Sequence, residues 1–209
     1  MSYASLRGLY AITPTDLCLE PTRLLTAVSA ALSGGARLVQ YRDKSRDVTR
    51  RLESAREVVA LCARHGAKLI VNDDVELAAA VQAHGVHLGL DDAPLTDARA
   101  RLGPTAIIGV TCQDSLERAR AASEGGADYL AFGAFFPSRT KPNARRASLE
   151  LLREARINTS LPICAIGGIT ADNAATVIEA GADLIAVVEG VFGAPDIEAA
   201  ARAFARCFA

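Results

Sequence analysis

The chain has 209 residues, of which half are hydrophobic and 22% are charged, and its formal net charge is −1. This composition is typical of a folded globular protein and predicts one domain spanning residues 1–209. A net charge this close to zero excludes a whole-molecule field that would attract nucleic acid or a membrane surface, so any bound anion must meet a local cluster of cations.

The five cysteines are widely spaced, with no CxxC pair and no histidine at the spacing of a zinc partner. They therefore predict reduced thiols rather than disulfides or a zinc site. Residues 1–7 lack the basic and apolar regions of a secretory signal, and no apolar run approaches the roughly 18 residues of a membrane span. We expect a cytoplasmic protein that does not enter a membrane, and the oligomeric state is left open.

Short apolar runs alternate with helical patterns along the whole chain. The predicted strands are Leu9–Ile12, Leu38–Tyr41, Leu69–Val71, Val86–Leu88, Ile107–Val110, Tyr129–Phe132, Ile163–Ile166 and Leu184–Val188. The predicted helices span about 22–32, 47–65, 75–81, 94–102, 115–123, a segment from about 148, 172–180 and 196–208, with boundary errors of ~2–4 residues. Eight alternating units favour a closed (β/α)₈ TIM barrel of the α/β class over an open doubly wound sheet.

Acidic residues follow the third and fourth predicted strands. If the barrel closes, Asn72, Asp73 and Asp74 meet Asp91 and Asp92 at the face where barrels collect functional groups. Each acid could instead cap a helix or form a turn, and that interpretation is favoured for Asp74 and Asp91. Asp73 and Asp92 are spare acids on neighbouring strands. We predict that they bind Mg²⁺, which takes one or two carboxylates and completes its shell with water and phosphate oxygens.

Cations come from two neighbouring loops at the same face. Arg42 and Lys44 follow the second strand, and Arg139 and Lys141 lie in the long loop 133–147. Together with a metal, these side chains would suit a diphosphate. For Arg42 and Lys44 a solvated loop is an equal alternative, because arginines at positions 46, 50 and 51 continue the charge.

A second anion site is predicted after the seventh strand. There, Gly167 and Gly168 could bring backbone N–H groups to a phosphate in front of the following helix. A bare tight turn is the alternative. Cys112 lies at the exit of strand five, but no base is placed to activate it as a nucleophile. His87, within strand four, is expected to pack either inside the barrel or against a helix.

Several longer phrases occur together in one order along the chain: Tyr10-Ala11-Ile12-Thr13, Gln40-Tyr41-Arg42-Asp43-Lys44, Val71-Asn72-Asp73, Val86-His87-Leu88-Gly89 with Asp92, Ile108-Gly109-Val110-Thr111, Gly133 to Lys141, and Ile166-Gly167-Gly168-Ile169. In this combination the chain resembles the thiamine phosphate synthase family. The resemblance implies a Mg²⁺-dependent transferase that joins hydroxymethylpyrimidine diphosphate to a thiazole phosphate or carboxythiazole phosphate. Thiamine phosphate and diphosphate would form through a pyrimidine carbocation.

The resemblance also implies roles for individual residues. Asp73 and Asp92 would bind the metal, and Lys141, Arg42 and Lys44 would be catalytic. The substrate-binding set would be Gln40, Arg42, Lys44, Asn72, Thr111, Ser138, Thr140, Lys141, Gly168, Val188 and Glu189.

Glu189 stands where the family usually has serine, so either its carboxylate turns away from the thiazole phosphate or that site is altered. A thiazole tautomerase-like isomerase and a non-catalytic phosphate-binding barrel are the alternatives. Asp73, Asp92 and Lys141 favour the synthase over both.

Overall fold

The computed structural model describes residues 6–137 and 145–209. Within these ranges, eight parallel strands pair in sequence order, and the last strand pairs with the first to close a barrel. The strands are β1 (Gly8–Ile12), β2 (Leu38–Tyr41), β3 (Lys68–Asn72), β4 (Gly85–Leu88), β5 (Ile107–Gln113), β6 (Tyr129–Gly133), β7 (Ile163–Ile166) and β8 (Leu184–Val187). The predicted (β/α)₈ architecture is confirmed.

In the described part of the chain, ten helical segments lie between the strands and after the last one. They are α1 (Thr15–Cys18), α2 (Pro21–Ser33), α3 (Val48–Arg64), α4 (Val75–Ala80), α5 (Leu95–Leu102), α6 (Leu116–Glu124), α7 (Leu149–Asn158), α8 (Ala174–Glu179), α9 (Glu189–Phe192) and α10 (Ile197–Arg206). The prediction of eight was wrong because α1 and α9 are single turns of four residues, too short to show a helical period in the sequence.

Most of the longer helices begin at a capping side chain. Asp47, Asp74, Ser115, Ser148 and Asp196 each accept a hydrogen bond from the backbone N–H three residues further on. Such a bond satisfies one of the N–H groups that the first helical turn leaves unpaired. The capping role favoured for Asp74 is therefore confirmed.

The apolar core has two layers. One lies between the strands and the surrounding helices, and the other fills the barrel with side chains that include Tyr10, Leu38, Ile70, Tyr129 and Leu184. The barrel interior also contains a polar side chain, because the buried Gln40 (3% exposed) hydrogen-bonds to Tyr10 there. Among the described helices, none combines the length and apolar character that crossing a membrane requires.

An Ala-Asp pair precedes both β6 and β8, and the two aspartates make the same set of hydrogen bonds. Asp128 accepts hydrogen bonds from the backbone N–H of Ile108 (2.7 Å) and from Arg99 (2.6 Å). Asp183 accepts from the backbone N–H of Ile163 (2.9 Å) and from Arg156 (2.9 Å). Each aspartate thus ties its own strand to the preceding strand and to the helix that leads into that strand.

Candidate active site

The exit of β3 places Asp73 in an unusual backbone conformation. Its φ is +63°, in the left-handed region that few residues other than glycine adopt. The Asp73 N–H donates to the carbonyl of His87 on β4 (2.8 Å), and the Asn72 side chain hydrogen-bonds to the Asp73 carboxylate. Conformations of this kind cost about 1–3 kcal/mol and cluster at functional sites. The two strands therefore hold the Asp73 carboxylate in a defined position at the mouth of the barrel.

Asp73 and Asp92 meet at this mouth, with their carboxyl groups in hydrogen-bonding contact. Lys44 forms an ion pair with Asp73 Oδ2, and Asp92 Oδ2 accepts from the backbone N–H of Gly89 (2.6 Å). Burial acts to raise the pKa of Asp73, but hydrogen bonds from Lys44 and other neighbours outweigh burial and lower it. Burial and the Asp73 carboxyl raise the pKa of Asp92. Two carboxyl groups thus lie close together, and among the described side chains the Lys44 ammonium offsets part of their negative charge.

The two carboxylates suit a hard divalent cation. Among the residues that the structure describes, no group of three or more histidine, cysteine, aspartate or glutamate side chains could enclose a metal. Mg²⁺ needs no such enclosure, because one or two carboxylates with water and phosphate oxygens complete its coordination. Asp73 and Asp92 therefore fit Mg²⁺ held jointly with a phosphorylated ligand.

The cations after β2 differ in their partners. Arg50 donates to the carboxylate of Asp47 (3.0 Å), and Arg51 donates to that of Asp74 (2.8 Å). Within residues 6–137 and 145–209, the half-buried Arg42 guanidinium has no carboxylate partner. Arg50 and Arg51 on α3 are thus paired with nearby carboxylates, whereas Arg42 has no such pairing among the described residues and can meet an anionic ligand.

The structure places Gln40 and Thr111 at the same end of the barrel. Gln40 donates through Nε2 to the hydroxyl of Tyr10 (2.8 Å), and the Thr111 hydroxyl is hydrogen-bonded to His87 Nε2 (2.9 Å). A register shift between Thr111 and Gln113 marks a bulge at the exit of β5, a feature common beside active sites. Of the two positions expected for His87, the structure thus shows the barrel interior.

The turn after β7 differs from the expectation in one respect. The helix expected from residue 172 begins at Ala174 and has six residues, so it does not stand directly behind Gly167 and Gly168. Both glycines have positive φ, of 103° and 63°. A Cβ on Gly167 would overlap Ala134, and one on Gly168 would overlap the carbonyl of Pro137. The pair therefore serves close packing against the loop after β6.

Glu189 begins α9, and Val188 is the N-cap residue of that helix. Glu189 is exposed, and its carboxylate lies over Gly193 at the other end of α9, where an added Cβ would overlap Glu189 Oε1. Of the two expected arrangements, this geometry corresponds to a carboxylate turned back along its own helix.

Some predicted residues lie outside the described part of the chain, namely Ser138, Arg139, Thr140 and Lys141. Cys112 is fully buried, and burial raises the pKa of its thiol to about 12. A thiol of this kind stays protonated at neutral pH and is a poor nucleophile.

Three polar residues beside the site were given no role of their own from the sequence. Thr13 is fully buried and accepts from the backbone N–H of Arg42 (2.9 Å), which fixes the start of the loop after β2. Tyr10 and Tyr129 lie inside the barrel, where their hydroxyls are 3.0 Å apart. A tyrosine in an otherwise apolar strand could have indicated a polar group inside the barrel. The sequence could not have shown that Tyr10 and Tyr129 contact each other, because they lie far apart in the chain.

Comparison with known proteins identifies the family. A family model described as thiamine monophosphate synthase matches residues 9–191. A thiamine-phosphate synthase of Thioalkalivibrio sulfidiphilus is 60% identical over 97% of this chain and 96% of its own length. One of Nitrosococcus oceani is 55% identical over 98% of this chain and 94% of its own. The solved thiamine phosphate pyrophosphorylase of Pyrococcus furiosus superposes with a TM-score of 0.88 at 37% identity, covering 98% of this chain and 96% of that one. The chain therefore belongs to the thiamine monophosphate synthase family, whose enzymes are transferases.

Proposed function

We propose that this transferase joins hydroxymethylpyrimidine diphosphate to a thiazole phosphate, with or without a carboxyl group, and that the reaction requires Mg²⁺. The observation that carries the proposal is the meeting of Asp73, Asp92 and Lys44 at the end of the barrel where Arg42 also follows β2. Among the described residues, the Arg42 guanidinium has no carboxylate partner. Two facing carboxylates repel a bare phosphate, so they suit a diphosphate only with a cation between them.

Asp73 and Asp92 would hold Mg²⁺, which would supply Lewis-acid stabilisation of the diphosphate oxygens when bound. Arg42 and Lys44 would pair with the same diphosphate, together with Lys141. Asn72, at the end of β3 beside Asp73, would orient the diphosphate through its amide. The substrate would thus be fixed by its charged end.

The reaction would begin as the C–O bond between the pyrimidine methylene and the diphosphate breaks. The bonding electrons leave with the diphosphate, and a carbocation remains on the pyrimidine methylene carbon. Arg42, Lys44 and Lys141 would stabilise the negative charge that develops on the leaving group. Gln40 and Thr111 would hold the pyrimidine ring in place during this step.

The thiazole nitrogen would then donate its lone pair to that carbon, which forms the C–N bond of thiamine phosphate. The enzyme's part in this step is positioning. Ser138, Thr140, Gly168 and the backbone from Val188 to Glu189 would bind the thiazole phosphate. The position of the Glu189 carboxylate over Gly193, at the far end of α9, supports an anion at that backbone.

The test is incubation of the purified protein with both substrates and Mg²⁺, followed by quantification of thiamine phosphate and diphosphate. Both products must appear in equal amounts, and chelation of the metal should stop their formation. Isomerisation of the thiazole phosphate without bond formation to the pyrimidine would contradict the proposal and support an isomerase. Absence of any turnover, with phosphate-ligand binding retained, would support a non-catalytic barrel.

A further inference from the structure

A chain of five polar side chains crosses the interior of the barrel. It runs from Gln40 Nε2 to the Tyr10 hydroxyl (2.8 Å), then to the Tyr129 hydroxyl (3.0 Å), His87 Nδ1 (2.8 Å) and, through His87 Nε2, the Thr111 hydroxyl (2.9 Å). We call these five residues the relay. Its two ends are proposed substrate contacts, whereas the three residues between them have no role in the proposed function.

The packing of the rings shows that the relay is built into the fold. Tyr129 on β6 reaches across β5 to His87 on β4, and it can do so because β5 has a glycine at position 109. A Cβ on Gly109 would overlap the phenol ring of Tyr129. The Tyr129 ring stacks on the imidazole with centroids 5.6 Å apart and meets the Tyr10 ring edge-on at 6.0 Å. Ring contacts and hydrogen bonds therefore fix the same geometry.

The hydrogen bonds have one direction. Burial raises the pKa of Tyr10 and of Tyr129, so both remain neutral phenols. Tyr10 accepts from the Gln40 amide, and the only other partner of its hydroxyl among the described residues is Tyr129. If Tyr10 also accepted from Tyr129, its own hydroxyl hydrogen would be buried without an acceptor, which is costly. Tyr10 therefore donates to Tyr129.

The same reasoning continues to the far end. Tyr129 accepts from Tyr10, so its hydroxyl hydrogen goes to His87 Nδ1, which must be unprotonated. The neutral imidazole then carries its hydrogen on Nε2 and donates to the Thr111 oxygen. The Thr111 hydroxyl hydrogen is left to donate elsewhere, and the Gln40 carbonyl oxygen is left to accept.

We propose that the relay fixes Thr111 as a hydrogen-bond donor and the Gln40 carbonyl as an acceptor toward the pyrimidine substrate, with Tyr10, Tyr129 and His87 as positioning residues. The inference rests on the function proposed above. A flipped Gln40 amide would reverse every bond and make Thr111 an acceptor. An aminopyrimidine offers both an N–H donor and ring-nitrogen acceptors, so the direction of the relay selects the orientation in which the ring binds.

The first test reads the direction of the relay without substrate or activity. Nitrogen-15 NMR of the imidazoles distinguishes a bare nitrogen from an N–H, and the chain has only three histidines. Signals of His65 and His84 are assigned by their loss in His65→Gln and His84→Gln. At about pH 7.5 we expect a bare Nδ1 and a protonated Nε2 for His87. A protonated Nδ1 on His87 would overturn the proposal, whether as the other tautomer or as the imidazolium.

The second test removes one hydroxyl at a time and keeps the rings. In Tyr129→Phe and Tyr10→Phe we expect KM for the pyrimidine diphosphate to rise about tenfold, the ratio for one lost hydrogen bond of ordinary strength. KM for the thiazole phosphate should stay unchanged, and the His87 Nδ1 signal should shift in Tyr129→Phe. The matched control is Tyr41→Phe, which removes a buried hydroxyl outside the relay. Its KM values and imidazole signals should match those of the unaltered protein.

Two results of the second test would contradict the proposal. One is equal KM values for the pyrimidine diphosphate in folded Tyr129→Phe, Tyr10→Phe and the unaltered protein. The other is an equal rise in the Tyr41→Phe control. Gly109→Ala is a further variant in which KM for the pyrimidine diphosphate should rise, because its methyl group would displace the Tyr129 ring from the relay. If the unaltered protein made no thiamine phosphate, the proposed function would fail, whereas the imidazole signals would still decide the direction of the relay.

Discussion

Lys44 and Asp73 form an ion pair that joins the loop after β2 to the exit of β3. The Lys44 side chain is 51% exposed and that of Asp73 is 25% exposed, so the pair lies at the open mouth of the barrel. Asp73 also contacts Asp92, and the lysine offsets part of the charge of these two acids. A cation already occupies the position at which a metal and a diphosphate are proposed to meet.

Replacing Lys44 should separate its effect on rate from its effect on stability. For Lys44→Gln we expect the free energy of unfolding to change by less than about 1 kcal/mol, because exposed ion pairs contribute little. The rate of thiamine phosphate formation should fall at least about tenfold, because a cation facing the leaving diphosphate is lost. Urea unfolding and initial rates measure the two quantities. Arg46→Gln, an exposed neighbour in the same loop, is the control and should alter neither.

Removing either metal carboxylate should change how the reaction depends on Mg²⁺. In Asp73→Asn and Asp92→Asn we expect the rate to fall about 100-fold or more, since Lewis-acid stabilisation contributes several kcal/mol. The Mg²⁺ concentration for half-maximal rate should rise in both. Asp91→Asn alters an exposed acid beside Asp92 and should behave as the unaltered protein. A Mg²⁺ dependence that Asp73→Asn and Asp92→Asn leave unchanged would place the metal elsewhere.

The closed barrel and most helix starts could be predicted because their signals are local. An apolar run, a capping aspartate such as Asp47 and a glycine at a helix end each act within a few residues. Single turns such as α9 carry no period, and α8 begins at Ala174 because Asn173 uses its side chain in the preceding turn, where Nδ2 donates to the carbonyl of Gly168 (3.2 Å). Local competition of this kind is not visible in the sequence.

The convergence of Asp73 with Asp92 could be inferred because neighbouring parallel strands end at one face. The sequence could not show which cations lack a carboxylate partner, because Arg51 on α3 pairs with Asp74, the N-cap residue of α4, and the two lie far apart in sequence. The contact of Tyr10 with Tyr129 joins the first strand to the sixth, 119 residues apart. It depends on strand tilt and on the space that Gly109 leaves, neither of which a hydrophobic pattern encodes.

Cys112 should be dispensable for catalysis. Burial raises the pKa of its thiol to about 12, so below that pH the thiol is protonated and thiolate chemistry is suppressed. We expect Cys112→Ala to keep kcat within about twofold, while losing about 1 kcal/mol of stability through a small cavity. Alkylation of Cys112 in the native protein should stay slow between about pH 7 and 9. An inactive but folded Cys112→Ala would instead indicate a covalent step.

The aspartates before β6 and β8 make the same bonds at different depths, and their replacement should differ in cost. The Asp128 side chain is 7% exposed and that of Asp183 is 30% exposed. Asp128→Ala leaves the Arg99 charge without a carboxylate, although its bonds to backbone carbonyls remain, and leaves the N–H of Ile108 without an acceptor in a nearly dry site. We therefore expect the free energy of unfolding to fall by about 3 kcal/mol.

For Asp183→Ala we expect a loss of about 1 kcal/mol, because water reaches the groups that remain. Urea unfolding measures both losses, and Asp172→Ala at an exposed position provides the baseline. Both aspartates precede their strands at the face opposite the site, where barrel residues serve stability. Each folded variant should therefore keep its kcat under native conditions. Equal losses at the two positions would show that burial does not set the strength of these bonds.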